Sequence, residues 1–482
     1  MSMLSDIEPA VLWNYFDQLR KIPRGSGEEK AVSDYIVSVA KKLNLDYEQD
    51  RTLNVVVRKP ARPGHEKAPA VVLQSHLDMV CEKNSDVEFD FKTDEIQVQR
   101  DGEWLTADGT TLGADNGIGV AAALAVLEGD MIHGPIEALF TVDEERGLNG
   151  AMSIAPDLLK GRILINLDSE DIGVFSIGCA GGADSHLTMP IRRETASGDT
   201  LVRLFISGLR GGHSGVDIHE GRGNALKILN RLLYQAGKTI PIELVSLMGG
   251  DKHNAIPREA EAQVVIRSAD LSRMRDWFDK AMADIRVEFS PVEKNITFTL
   301  AKLEQATPDV LVPEAQKTLL ALTFALPHGP MAMSRTIKEL VETSNNVASI
   351  KFSGDQVNIH CSSRSSNDAA LQATLDKLCA IAELSGASIE QPEGYPGWMP
   401  NLDSKILKIA LDTYKEVADE QARYEAIHAG LECGLIGVKY PGMDMISIGP
   451  TIKHPHSPDE RVDIKSVELF YRHLLRMLQV LA

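Results

Sequence analysis

Four places in the sequence carry residues able to do hydrolytic chemistry, and three of them directly follow short apolar runs. Val71-Val72-Leu73-Gln74-Ser75 leads into His76-Leu77-Asp78, Ala138 to Val142 into Asp143-Glu144-Glu145, and Ile163 to Leu167 into Asp168. The fourth, His454-Pro455-His456-Ser457-Pro458-Asp459-Glu460, lies near the end of the chain after Ser447-Ile448-Gly449. Taken singly each has an ordinary reading: a surface His-Asp pair, a solvated acidic turn, a loop histidine. Together they offer imidazole and carboxylate without thiolate, a donor set that suits Zn²⁺ or its neighbours Co²⁺ and Mn²⁺. Carboxylates alone would have pointed to Mg²⁺ or Ca²⁺.

Spacing sharpens the reading. His76 and Asp78 are two apart, so on an extended segment they share a side, and Asp78 can take a hydrogen bond from the far ring nitrogen of His76. In Asp143-Glu144-Glu145 an extended strand end would turn the two Glu side chains apart, one toward a metal and the other toward the reacting water. Leu112-Gly113-Ala114-Asp115-Asn116-Gly117 opens a helix, where an acidic residue is commonly a cap. The surrounding glycines also permit the tight backbone that would push a carboxylate into a crowded centre, which makes Asp115 a candidate bridge between two metals. Two prolines stiffen the loop carrying His454 and His456.

These residues must be brought together by the elements that hold them. The first 185 or so residues alternate helical patterns (7–21, 28–43, 120–127) with the short apolar runs, the signature of an α/β domain with a mostly parallel sheet flanked by helices. Open sheets of this kind bind ligands at the carboxyl ends of their strands. Ser26, in Arg24-Gly25-Ser26-Gly27, is placed to cap the second helix. From 201 the order becomes strand, helix, strand, strand, helix, strand, a ferredoxin-like pattern ending near 301. A second, incomplete copy follows to about 391. The expected organisation is a catalytic domain of residues 1–185 and 396–482, interrupted by an α+β lid domain of residues 186–395 with a doubled ferredoxin-like pattern.

Composition narrows the function further. The chain has 482 residues, 43% hydrophobic and 25% charged, with a net charge of −19. That charge disfavours nucleic acid and anionic membrane surfaces as partners. The opening residues lack a basic region followed by an apolar stretch, so no secretory signal is expected. Five scattered cysteines suit a reduced cytoplasm rather than a disulfide framework.

The ordered set His76/Asp78, Asp115, Glu144/Glu145, Asp168 and His456 resembles the carnosinase-like family of co-catalytic di-zinc peptidases. Gly211 to His219 and Pro455 to Val462 are similar to its bacterial members that cleave dipeptides ending in histidine. The resemblance implies two Zn²⁺ per subunit, with Co²⁺ or Mn²⁺ as substitutes. One would take His76 and Asp168, the other Glu145 and His456, with Asp115 bridging. It implies Glu144 as general base, Asp78 behind His76, and His219 of the lid as the group that stabilises the oxyanion, acting on closure of the two domains. His213 would be structural, while Arg364 and Asn254 would bind substrate. The activity implied is hydrolysis of dipeptides, Xaa-His first and Cys-Gly beside it, in the cytoplasm, by a homodimer. Tripeptide aminopeptidase and N-acyl amino-acid deacylase activities stay open on the same scaffold. Arg146 stands where a small residue is expected, so its charge acts on the neighbouring ligand or points to solvent.

Overall fold

The computed structural model describes Leu4 and residues 6–482. It comprises two units, one of Met1–Cys179, Trp398–Ala426 and Leu431–Ala482, the other of Ala180–Gly397 and Ile427–Gly430.

The first unit is organised by strands that are buried on both faces. Val71–His76 and Ile136–Thr141 have every residue buried, and in Ile163–Asn166 only the first is not. Such runs show no alternation because helices cover both sides of a parallel sheet. Val71–His76 pairs in parallel with both Ile136–Thr141 and Ile163–Asn166, and the latter pairs in parallel with Asp444–Ser447. The parallel strands thus form the centre of an eight-stranded sheet. Its margins are antiparallel: Val55–Lys59 pairs with Ile136–Thr141 and with Asp46–Gln49, and Asp444–Ser447 with Val174–Cys179. Because the central strands run the same way, their carboxyl ends, with His76, the 143–145 turn and Asp168, lie along one edge.

Helix Ala114–Glu128 packs against Val71–His76 and against helix Ala10–Leu19. It is apolar all round and almost entirely buried, as a helix inside a protein must be. A separate four-stranded sheet joins Ile452–Lys453, Arg461–Asp463, Trp104–Ala107 and Val98–Asp101, and the hairpin between its first two strands carries His456.

In the second unit, Thr200–Ser207, Glu243–Gly249, Ala260–Ile266 and Thr297–Lys302 follow the ferredoxin-like order, with the first and third strands adjacent at the centre. The second copy is complete. Its missing first strand is Gly181–Pro190, which pairs with Gln356–Ser365 along ten residues and with Ser388–Glu390 on its other side. The first copy is therefore inserted within the second, and this is why the pattern looked incomplete when read in chain order. The two copies share one sheet, joined where Gly249 pairs with Ile350. One face packs on helices through Leu187, Met189, Val357, Ile359 and Cys361. No helix among the described residues is long and apolar enough to cross a membrane.

Candidate metal centre

The three strand ends, the start of the Ala114–Glu128 helix and the 454–460 hairpin converge on one cluster. His76 Nε2 lies 3.1 Å from Asp115 Oδ1 and 3.3 Å from Asp168 Oδ1. His456 Nε2 lies 3.1 Å from Asp115 Oδ2 and 3.0 Å from Glu145 Oε1. Asp115 thus turns one carboxylate oxygen toward each histidine. Glu144 and Glu145 both approach His76. The Glu pair is not on an extended strand as expected: the strand ends at Thr141, and Asp143 adopts a left-handed φ of 53°. That turn sends both Glu side chains inward, while Asp143 accepts hydrogen bonds from Arg146 and Asn149. The Arg146 charge is therefore paired with Asp143. His454 and His456 are both exposed with left-handed φ values of 56° and 60°, and of the two it is His456 whose ring reaches the cluster.

Buried acceptors and donors hold these groups in place. Asp78 Oδ1 sits 3.4 Å from His76 Nδ1 without a hydrogen bond between them. The Asp78 carboxylate instead accepts from the backbone N–H of Glu144 (3.0 Å) and Glu145 (3.2 Å), and from Ser26 Oγ (2.8 Å). Ser26 thus serves Asp78, and the second helix starts at Lys30 without a side-chain cap. Asp115 and Asn116 have non-helical backbone angles, so the regular helix begins after them. Asn116 Nδ2 donates to the Leu167 carbonyl at 2.8 Å, tying this turn to the strand end before Asp168. Gly113 has φ 70°, and a Cβ there would lie 2.5 Å from Arg24 Nη2, so both conformation and space demand glycine.

Three groups of this frame were not singled out from the sequence. Glu460 is buried and its carboxylate accepts from the N–H groups of Leu112, Gly113, Ala114 and Asp115 at 2.7, 2.9, 2.8 and 3.3 Å. Arg24, also buried, donates to the carbonyls of Leu77 and Asp78 at 3.0 Å each and to that of Gly113. Glu432 accepts from Gln74 and Thr141 beneath the cluster. The first two stood inside stretches already notable for other residues. Glu432 opens a helix distant in sequence, and nothing local marks it.

The electrostatics are those of crowded carboxylates. Burial pushes the Glu144 carboxyl well above its ordinary range and Asp168 up to about 6, although His76 opposes both. Burial alone would lower His76, but Asp168, Asp115 and Asp78 raise it well above its usual value. Hydrogen bonds to Asp115 and Glu145 lift His456 to about 11. Burial would raise Asp115, yet His456 and His76 hold it low. The imidazoles here supply positive charge that a divalent ion would otherwise bring.

The donor set fits such ions. Bonds of ~2.0–2.1 Å in a tetrahedral site put neighbouring ligand atoms ~3.3–3.4 Å apart. The separations of 3.0–3.3 Å around His76 and His456 are close to that edge. Glu145 Oε1 is buried and faces His456 Nε2 at 3.0 Å, so the two can share one cation.

His219, Asn254 and Arg364 belong to the second unit. His219 is exposed on a short 3-10 turn, Ile218–Glu220, and Asn254 is exposed before Ala255–Ile256. Arg364 is buried, donates from Nη1 to the Tyr395 hydroxyl at 2.9 Å, and has no hydrogen-bond partner for Nε. His213 Nδ1 accepts the N–H groups of Gly215 and Val216, so this histidine holds its own turn.

The chain is 40% identical to the cytosol non-specific dipeptidase of Escherichia coli (strain K12) over 481 residues, 99% of each chain. The structure of aminoacylhistidine dipeptidase from Vibrio alginolyticus matches with a TM-score of 0.92 and 43% identity, covering 99% of this chain and 98% of that one. A tripeptidase from Staphylococcus aureus shares the fold at a TM-score of 0.57 and 17% identity, covering 98% of this chain and 99% of that one. With its model matched across residues 72–480, peptidase family M20/M25/M40 is the family to which this chain belongs.

Proposed function

We propose that this chain is a cytoplasmic metallodipeptidase that hydrolyses Xaa-His dipeptides preferentially, with Cys-Gly within its range. The observation that carries the reading is the Asp115 carboxylate set between His76/Asp168 and Glu145/His456, an arrangement suited to two divalent ions. Zn²⁺ is the ion assigned, because two imidazoles share the site with carboxylates. The named activities of the Escherichia coli and Vibrio relatives support the dipeptide substrate and the preference for a C-terminal histidine, and the former's name supports the location. Assembly as a homodimer is part of the same proposal and is tested by sedimentation.

When bound, the ion pair lowers the pKa of a water toward neutrality and polarises the scissile carbonyl. Glu144, half-buried beside His76 with its carboxyl raised, takes a proton from the attacking water and passes it to the leaving amine. Asp78 fixes the Glu144–Glu145 backbone and so aims both carboxylates. His219 is assigned to the developing oxyanion, Arg364 to the free α-carboxylate and Asn254 to the substrate backbone. The unspent Arg364 Nε supports its assignment, since a guanidinium grips a carboxylate best with two donors.

The test measures rates on carnosine, Cys-Gly, a tripeptide and an N-acetyl amino acid, before chelation and after Zn²⁺ is restored. Carnosine turnover that is abolished by chelator and recovered with metal is expected. Metal-dependent cleavage of only the tripeptide or only the acetylated substrate would overturn the substrate assignment.

A further inference from the structure

A second group of metal-ligand residues lies on the sheet of the second unit. Gly181–Pro190 and Gln356–Ser365 are antiparallel neighbours with His186 opposite His360 and Asp184 opposite Ser362. The intervening residues Leu187, Ile359 and Cys361 face the helix-packed core. Side chains alternate along a strand, so Asp184, His186 and His360 stand together on the other face.

Their spacing is that of ligands around an ion. The His186 and His360 rings lie 4.4 Å apart between centroids, and His360 Nε2 is 3.3 Å from Asp184 Oδ2. One donor atom from each of the three falls within 4.8 Å of the others. Despite its nearness to Asp184, His360 Nε2 is buried with no aligned hydrogen-bond partner. The 3.3 Å separation again matches the ~3.3–3.4 Å edge of a tetrahedral site with ~2.0–2.1 Å bonds. His253, in the loop before Ala255–Ile256, places Nδ1 3.3 Å from the same Asp184 oxygen. Its loop is tethered by the ion pair of Asp251 with Lys351 at 3.1 Å. Metal-binding carboxylates are commonly held by such an outer partner.

We propose that Asp184, His186 and His360 form a further metal site in the second unit, taking a divalent transition ion of the Zn²⁺ or Co²⁺ class, with His253 orienting the Asp184 carboxylate. Two imidazoles and one carboxylate leave further positions on the ion for water. The partial exposure of the three ligands gives it a route from solvent. An ion here would tie the sheet to the 250–254 loop, which also carries Asn254. The inference is independent of the dipeptidase reading, since it uses none of the residues of the first cluster.

The full-length protein is stripped with chelator and titrated with Co²⁺, following visible absorption and the equivalents bound, and again with Zn²⁺. Relative to the unaltered chain, Asp184→Asn, His186→Gln and His360→Gln are each expected to lose one equivalent. His253→Gln is expected to keep it at about tenfold weaker affinity. A chain carrying Asp115→Ala and His456→Ala is expected to retain the equivalent, separating this site from the first cluster. His186 is exposed, so its variant tests the proposal even where Asp184→Asn destabilises the fold. Equal binding by the unaltered chain and His186→Gln would overturn it.

Discussion

Replacing Glu460 gives the sharpest test of how the metal centre is held. Its carboxylate is the common acceptor of four consecutive backbone N–H groups, from Leu112 to Asp115, two on each oxygen. Those N–H groups belong to the turn that sets Asp115 between the histidines. A buried donor left without its acceptor costs ~1–3 kcal/mol. Glu460→Ala orphans all four, but water entering the vacated space restores some of the bonds, so a loss of about 4 kcal/mol is expected. Glu460→Gln keeps the shape, retains one oxygen and sets an amide N–H₂ against two N–H donors. About 3 kcal/mol is expected to be lost, and its side-chain volume hardly changes. Either substitution lets the Asp115 carboxylate wander, and loss of an outer partner typically weakens metal binding 10–100-fold. Urea unfolding of the metal-free protein reads the first quantity, and competition with a chromogenic chelator reads the second. A Glu460→Gln protein within 0.5 kcal/mol of the unaltered chain, binding metal equally well, would refute the reasoning.

Three further outcomes follow from the same frame. Glu144→Gln should lower turnover about 10²–10⁴-fold with metal content unchanged, and retention of more than about a tenth of the rate would remove Glu144 as the base. Arg24→Met leaves the carbonyls of Leu77, Asp78 and Gly113 without their buried donor and should cost about 3–4 kcal/mol in denaturant unfolding. Arg24→Lys should not rescue it, since one ammonium cannot reproduce the planar fork. Burial lowers His473 from its ordinary 6.5 to about 4, so the unfolded chain binds the proton first as pH falls. Its contribution is complete above pH 6.5 and fades as pH drops through about 4, a loss of about 3 kcal/mol. Replacement by Phe, beside the stacked Phe175 ring, should flatten the acid side of the stability profile, and an unchanged profile would discard His473 as its source.

How much could be read from the sequence differs between the two units for a physical reason. In the first, short fully buried strands end in ionisable residues, and a parallel sheet collects such ends along one edge. His76, Glu144, Glu145 and Asp168 could therefore be grouped before their distances were known, while Asp115, at a helix start, and His456, in a hairpin of another sheet, joined them through the ordered family pattern. In the second, the ferredoxin-like order was legible for residues 201–301, where the elements are consecutive. The other copy was not, because its first strand, Gly181–Pro190, is separated from its partner Gln356–Ser365 by the whole inserted copy.

Residue types and local periodicity were enough to specify the donor chemistry, the central strands and the element order, since these depend on neighbours in the chain. Tertiary structure alone decided the rest. Both Glu side chains turn inward because Asp143 adopts a left-handed conformation and Asp78 captures two N–H groups. Ser26 serves Asp78 and not the helix beside it. Glu460 clamps a turn nearly 350 residues earlier in the chain, and His360 meets Asp184 only through the pairing of two strands. Each of these rests on a hydrogen bond or contact between segments remote in sequence, whose formation depends on where the whole fold places them.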